Sequence, residues 1–142
     1  MDLALTLARE GERRGEVPVG ALVEMDGVII GTGTNCPVGT SDPTAHAEII
    51  ALREAGGKTK NYRLTGAVLY VSLEPCLMCF AAAVHARVAK IVYGTGDPKG
   101  GVFSTGSFER ISGVFNHKIE IESGVGENES SEILKDFFRS RR

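Results

Sequence analysis

The sequence lacks a long apolar segment, an even set of cysteines and a strong excess of either charge. Charged residues interrupt every apolar run within about a dozen positions, which excludes a membrane-spanning helix. Three cysteines are an odd number and argue against a disulfide framework. Sixteen basic and eighteen acidic residues give a net charge of −2, which argues against nucleic-acid binding through one strongly basic surface. Because Met1-Asp2 leads directly into an amphipathic pattern without a signal peptide, we expect a cytoplasmic protein.

The pattern of apolar residues predicts one α/β domain over residues 1–142. Asp26-Gly27 separates two strands, 20–25 and 28–34, and is a strong signal for a β-hairpin. Strands and helices alternate after that hairpin, which favours parallel pairing in a sheet between helical layers. The other predicted elements are strands at 67–73, 90–94 and 118–123, and helices at 2–14, from Asp42 to Gly56-Gly57, at 75–87 and at 130–141.

Two short stretches contain residues typical of a metal site. Cys76 and Cys79 open a predicted helix and, three positions apart, lie on one face of its first turn. Taken alone, this pair is equally compatible with structural zinc or with thioredoxin-like redox chemistry. His46 alone is compatible with a buried or capping histidine, but it also lies just inside the start of a predicted helix. Because such helix starts gather at one edge of an α/β sheet, we expect the three side chains to meet in a zinc site with one position left for water.

Glu48 lies two residues after His46 and therefore cannot pair with it side by side on the helix. In the first turn of a helix that points into a pocket, however, both side chains can converge on a site beyond the helix end. We expect Glu48 to stay unligated and to exchange protons with a water molecule activated by zinc, as a general acid and base.

At these residues the sequence resembles the zinc-dependent nucleoside and nucleobase deaminases, whose signature is H-x-E followed by P-C-x-x-C. That signature occurs here as His46-Ala47-Glu48 and as Pro75-Cys76-Leu77-Met78-Cys79. Within this superfamily the sequence is most similar to the bacterial tRNA-specific adenosine deaminases. The similar stretches are GEVPVGA (15–21), DPTAHAEI (42–49), NYRL (61–64), LYVSLEPCLMC (69–79), NHKIEI (116–121) and DFFRSRR (136–142).

The resemblance implies a three-layer, cytidine-deaminase-like fold, in which a five-stranded mixed sheet carries helices on both faces. It implies a homodimer with one Zn²⁺ per subunit, held by His46, Cys76 and Cys79. The implied reaction is hydrolytic deamination of adenosine to inosine at the wobble position of an arginine tRNA anticodon, with Glu48 as the catalytic acid and base.

The resemblance also implies contacts with the tRNA. Asn35 matches the residue that hydrogen-bonds the flipped adenine, and Val19 matches an apolar wall of its pocket. The other implied contacts lie on a loop and on the last helix: Asp97, Lys99, Phe138 and Arg139. Arg141 and Arg142 follow in the same basic tail, where we expect further phosphate contacts.

The helix predicted over residues 75–87 is apolar nearly all round, unlike a surface helix, which has a polar outer face. Between Cys76 and Ala86 its only strongly polar side chain is that of His85. One face must pack on the sheet, and we expect the other to be buried in a two-fold dimer interface.

Two alternatives remain open from the sequence. The first is a deaminase of a free nucleobase or nucleoside, of the guanine or cytidine type, which the near-neutral charge favours and the aromatic and basic tail DFFRSRR opposes. The second is a non-enzymatic zinc-stabilised binding module in which Cys36 supplies a fourth ligand. That alternative leaves Glu48 without a role.

Overall fold

The computed structural model describes every residue from Met1 to Arg142. Five strands and six helices follow one another along the chain, and a single 3-10 turn, Ser112–Val114, follows the fifth helix. In chain order the elements are α1 (Asp2–Arg13), β1 (Gly20–Met25), β2 (Val28–Thr34), α2 (Pro37–Thr40), α3 (Ala47–Thr59), β3 (Val68–Leu73), α4 (Leu77–His85), β4 (Lys90–Thr95), α5 (Ser107–Ile111), β5 (Glu120–Glu122) and α6 (Glu127–Arg139).

The strands form one mixed sheet in the order β2-β1-β3-β4-β5. β1 pairs antiparallel with both β2 and β3, whereas β3, β4 and β5 run parallel to one another. Helices α3 and α4 cover one face of the sheet, and α1 and α6 cover the other. The predicted three-layer α/β fold is therefore confirmed. No helix has the length and the apolar character needed to cross a lipid bilayer.

Glycines in β2 let α3 lie unusually close to the sheet. A Cβ atom at Gly33 would overlap the backbone carbonyl oxygen of Ala47, and one at Gly31 would overlap that of Ala51. Only glycine permits this approach of two backbones, because any side chain would push the helix outward. The contact at Gly33 sets the height of the first turn of α3 above the sheet.

α3 begins and ends later than the sequence predicted. The Asp42 carboxylate accepts hydrogen bonds from the Thr44 backbone N–H at 2.8 Å and from its hydroxyl at 2.7 Å, so Asp42 closes a separate turn instead of capping the helix. The helix starts at Ala47. It then continues through both glycines to Thr59 and ends where Lys60 adopts a left-handed conformation with φ 54°. The predicted start and end of this helix were wrong by several residues.

The segment predicted as a polar loop over residues 35–42 contains the one-turn helix α2. Glu16, which is buried, stabilises this turn from outside: its Oε1 accepts a hydrogen bond from the Gly39 N–H at 2.7 Å and its Oε2 one from the Val38 N–H at 3.3 Å. The short helix α5 was also missed. Both helices depend on contacts with distant parts of the chain, and neither is long enough to show a periodic apolar pattern.

Candidate active site and metal centre

The three predicted ligands converge at the first turns of α3 and α4. His46 and Cys76 are the N-cap residues of these two helices, each with extended backbone angles, and Cys79 lies one turn into α4. His46 Nδ1 is 3.6 Å from Cys76 Sγ and 3.5 Å from Cys79 Sγ. All three ligand atoms lie within 4.8 Å of one another. Cys36 is not part of this group, so the geometry gives no support to a four-ligand site.

The chemistry of the donor atoms fits a metal ion. A hydrogen bond from the Cys79 thiol lowers the pKa of the Cys76 thiol to about 4, and His46 contributes to the lowering. The pKa of Cys79 is raised, because its thiol donates that bond and is largely buried. The hydrogen bond between the two sulfurs thus favours the thiolate form of Cys76. An imidazole nitrogen together with cysteine sulfurs is a donor set that zinc favours.

Glu48 lies beside this cluster without joining it. It is the second residue of α3, and only 4% of its surface is exposed. Burial raises the pKa of the Glu48 carboxyl to about 7, against the opposing effect of a hydrogen bond from its own backbone N–H. A carboxyl group with such a pKa can both release and take up a proton near neutral pH, as a general acid and base must.

Asn35 and Val19 are held next to the first turn of α3. The Asn35 side-chain oxygen accepts a hydrogen bond from the Ala47 N–H at 3.3 Å, and the Asn35 backbone N–H donates to the Val19 carbonyl at 3.0 Å. Both residues are buried. Because Oδ1 is committed to the helix, Asn35 offers its Nδ2 group as a donor to a ligand. The structure therefore places Asn35 against Ala47, the residue between His46 and Glu48, and Val19 next to Asn35.

Asp97 and Lys99 lie in the loop that follows β4. The Asp97 carboxylate accepts a hydrogen bond from the Lys99 backbone N–H at 3.0 Å, which closes a tight turn and leaves the Lys99 side chain exposed. Glu74 anchors this loop and was not predicted from the sequence, although it directly precedes the Pro-Cys motif. An acidic residue between a predicted strand and that motif was the only available signal.

Phe138 and Arg139 lie on the surface of α6 and contact none of the metal-centre residues. Phe138 is 51% exposed, whereas its neighbour Phe137 is 3% exposed and belongs to the core. Arg139 pairs with Asp136 at 3.2 Å. Arg141 turns back onto the fold: its guanidinium lies 3.7 Å from the centre of the Phe137 ring and donates to the Gly15 carbonyl at 3.1 Å. Of the basic tail, Arg141 is therefore engaged with the fold and is not a free phosphate contact.

Comparison with known proteins agrees with this arrangement. Residues 1–142 match the family described as MafB19-like deaminase. A tRNA-specific adenosine deaminase from Haemophilus influenzae is 46% identical over 143 residues, which cover 100% of this chain and 83% of that relative. The chain belongs to the tRNA-specific adenosine deaminase family.

Solved structures of the deaminase superfamily have the same fold. A structure from studies of A-to-I editing by tRNA:A34 deaminases at the wobble position of transfer RNA superposes with a TM-score of 0.90 at 44% identity, over 94% of this chain and 97% of that one. A guanine deaminase from Bacillus subtilis is 37% identical with a TM-score of 0.66, over 75% of this chain and 65% of that one. The predicted membership of this deaminase family is confirmed.

Proposed function

We propose that residues 1–142 form a single zinc-dependent deaminase domain that converts adenosine to inosine at the wobble position of an arginine tRNA in the cytoplasm. One observation carries the proposal: His46, Cys76 and Cys79 converge from two helix starts beside the buried carboxyl group of Glu48. Relatives named tRNA-specific adenosine deaminases, similar over the whole chain, support the choice of substrate.

One zinc ion per subunit would be held by His46 Nδ1, Cys76 Sγ and Cys79 Sγ. When bound, zinc supplies Lewis-acid activation of a water molecule, lowering its pKa to about 7. His46 must be neutral at Nδ1 to serve as a ligand, and both cysteines must be thiolates. The low pKa of Cys76 supports this role, since it favours the thiolate form of that ligand.

Glu48 is the proton carrier of the proposed reaction. Its carboxylate takes a proton from the attacking water and delivers it to the ring nitrogen next to the amino-bearing carbon. It then transfers the second proton to the amino group, which leaves as ammonia while the carbonyl of inosine forms. Its burial beside Cys79 keeps bulk solvent away from the carboxyl group. Protons therefore pass between the attacking water molecule and the substrate, and not to bulk solvent.

The proposed substrate contacts divide into a pocket and a surface. Asn35 would donate a hydrogen bond to the flipped adenine, and Val19 would form an apolar wall. Farther out, four residues would contact the anticodon loop by stacking and by phosphate pairing, which is how single-stranded RNA is recognised. These residues are Asp97, Lys99, Phe138 and Arg139.

A homodimer is part of the proposal. The four buried residues of α4, Cys79, Phe80, Ala83 and Val84, face the core, whereas Leu77 remains 46% exposed on the outer face. Between α3 and α4 lies a groove of about 580 Å³, the α3–α4 groove, which a second copy would cover. It is lined by Ile49, Leu52, Arg53, Gly56, Lys60, Asn61, Tyr62, Ala82, His85 and Ala86.

Light scattering at micromolar concentration tests this part of the proposal, with a dimer mass as the expected result. Ala82→Glu should give a monomer, because it places a charge in the α3–α4 groove. Val28→Glu, at the 60% exposed tip of the β1–β2 hairpin, should leave the dimer intact and is the matched control. A monomeric parent protein would contradict the proposal.

The activity is tested with an unmodified arginine tRNA transcript carrying adenosine at the wobble position. We expect inosine at that position and one ammonia per inosine, and no product from a transcript with guanosine there. The Glu48→Ala variant serves as the inactive control. A wild-type protein that forms no inosine would contradict the proposed function.

A second candidate is deamination of free guanine. It is favoured by the 37% identity to the guanine deaminase from Bacillus subtilis and by the net charge of −2, which gives no general attraction to RNA. The same preparation should therefore be incubated with guanine, cytidine and adenosine. Ammonia from guanine, without inosine in tRNA, would select the second candidate.

A further inference from the structure

Glu74 is a buried carboxylate that gathers hydrogen bonds from a single loop. Only 2% of the residue is exposed. Its Oε1 accepts from the Phe103 and Ser104 backbone N–H groups, both at 2.7 Å, and its Oε2 accepts from the Asp97 N–H at 2.8 Å. The Ser104 hydroxyl also donates to Oε2. Four donors from residues 97–104, here called the 97–104 loop, thus converge on one side chain.

The 97–104 loop is also tied to the segment that carries a predicted zinc ligand. The Val102 N–H donates to the Pro75 carbonyl at 3.0 Å, and Gly101 forms an isolated β-bridge with Cys76. A Cβ atom at Gly101 would overlap the Glu74 carboxylate, so the backbone of the loop lies directly against that group. The loop and the Cys76 end of α4 therefore meet through Glu74, its neighbour Pro75 and Cys76 itself.

We propose that Glu74 is a positioning residue for catalysis: it fixes the 97–104 loop, with Lys99 on its outer turn, relative to Cys76 and the metal centre. This inference rests on the proposed function, because it concerns how RNA held by the loop is aligned with the reacting atoms. A carboxylate suits the task because it only accepts hydrogen bonds, and here every neighbouring group is a donor. Charge-assisted bonds of this kind are also stronger than neutral ones.

Glu74→Gln tests the proposal with almost no change in shape. The glutamine NH₂ group must face either the Asp97 N–H and the Ser104 hydroxyl or the Phe103 and Ser104 N–H groups, so one side of the network loses its acceptor. Glu54→Gln is the matched control. Glu54 also accepts from a backbone N–H, that of Thr32 at 2.6 Å, but on the edge strand β2.

For Glu74→Gln we expect KM for an arginine tRNA anticodon stem-loop to rise about tenfold, the effect of losing one charge-assisted hydrogen bond, with a smaller change in kcat. Zinc content should stay at the wild-type value. Amide hydrogen exchange should accelerate at Asp97, Phe103 and Ser104 but not at Leu69 in the core strand β3. Glu54→Gln should leave KM and the exchange of the 97–104 loop unchanged.

Unchanged KM together with unchanged loop exchange in Glu74→Gln would overturn the proposal. Equal acceleration of exchange in the loop and at Leu69 would do so too, because it would mean a general loss of stability. If Glu74→Gln does not fold, Ser104→Ala decides: it removes only the hydroxyl donor and should raise KM about threefold with faster exchange in the same loop. A wild-type protein without activity on tRNA would refute the proposed function, and the exchange data would then still decide whether Glu74 fixes the loop.

Discussion

The side chains of the candidate metal centre are held by the fold and by one another, whereas those at the C-terminal end of α6 extend into solvent. Glu48 is 4% exposed and lies among residues whose ligand atoms are within 4.8 Å of one another. Phe138 is 51% exposed, and the only ion pair of Arg139 is a surface one with Asp136. Groups that react with the substrate nucleobase must be correctly placed before it binds, because misplacement lowers the reaction rate directly. Groups that contact flexible RNA can be ordered by the RNA itself.

This contrast predicts that a change at the metal centre has the largest effect. Cys79→Ala removes one of three ligands, so zinc content should fall well below one per chain. Activity on the tRNA transcript should drop by at least about a thousandfold, because metal activation of water contributes several kcal/mol. The melting temperature should fall as well, since a ligand that binds only the folded state stabilises it. Metal analysis, an inosine assay and calorimetry measure the three effects.

Cys36→Ala is the control for that experiment, because Cys36 lies outside the cluster. It should retain zinc and activity. A Cys79→Ala protein that kept its zinc would show that the metal is bound elsewhere.

Glu48→Ala separates proton transfer from metal binding. Activity should fall by about 100- to 10,000-fold, the usual contribution of a general acid and base. Zinc should remain near one per chain, because all three ligands are left. Glu48→Gln, which keeps the shape of the side chain but cannot carry protons, should lose as much activity. An empty metal site in either variant would mean that Glu48 is a ligand and that its proposed role is wrong.

Gly33→Ala tests whether the height of α3 matters to the chemistry. The added methyl group overlaps the Ala47 carbonyl oxygen, so the first turn of α3 must move away from the sheet. We expect a loss of about 1–3 kcal/mol in the free energy of unfolding, as for other overpacked sites. We also expect kcat to fall by about tenfold or more, because small displacements of catalytic groups are costly. Denaturant titration and the inosine assay provide the measurements.

Gly57→Ala, in the same helix, is the matched control. Nothing lies within 4 Å of a Cβ atom at that position, so the change should stabilise the protein by roughly 0.5–1 kcal/mol through helix propensity. Its kcat should equal that of the wild type. If Gly33→Ala behaved like Gly57→Ala, close packing on β2 would have no part in placing the active site.

The convergence of His46, Cys76 and Cys79 was predictable from sequence, because these residues lie in two short motifs at helix starts. The strands were also predictable: β1 and β2 have the predicted bounds, since a hairpin turn and β-branched residues define them locally. The start of α3 was not predictable in the same way. Asp-Pro-Thr has the composition of a helix N-terminus, but the Asp42 side chain caps Thr44 in a separate turn.

Other features depend on residues that are far apart in the chain. Glu74 accepts hydrogen bonds from residues 23 to 30 positions later, and Arg141 binds a carbonyl group 126 positions earlier. No local sequence pattern identifies such contacts between distant residues. An acidic residue after a strand and an arginine in a basic tail both resemble ordinary solvent-exposed charges until the chain is folded.

At the exposed end of α6 the expected effects are smaller. Phe138→Ala should weaken binding of the anticodon stem-loop by about 1–3 kcal/mol, the usual contribution of one base stacked on an aromatic ring. The melting temperature should not change, because Phe138 is half exposed and Phe137 forms the core contact. Val114→Ala removes another exposed apolar side chain and should bind RNA like the wild type. Equal affinity of the Phe138→Ala and wild-type proteins would remove Phe138 from the RNA surface.

The smallest effect is expected for Arg139→Ala. Comparison with Arg141→Ala shows whether a change in the salt dependence of RNA binding is specific to Arg139. Arg139 lies at the surface with its side chain 75% exposed, so its loss should leave stability unchanged. If it contacts one phosphate, the slope of log affinity against log salt should flatten by about 0.7. Arg141 stacks on Phe137 and donates to the Gly15 carbonyl. Arg141→Ala should therefore lower the melting temperature while leaving the salt slope as in the wild type. The reverse pattern would mean that RNA draws Arg141 off the fold, and that the two arginines exchange the roles assigned to them.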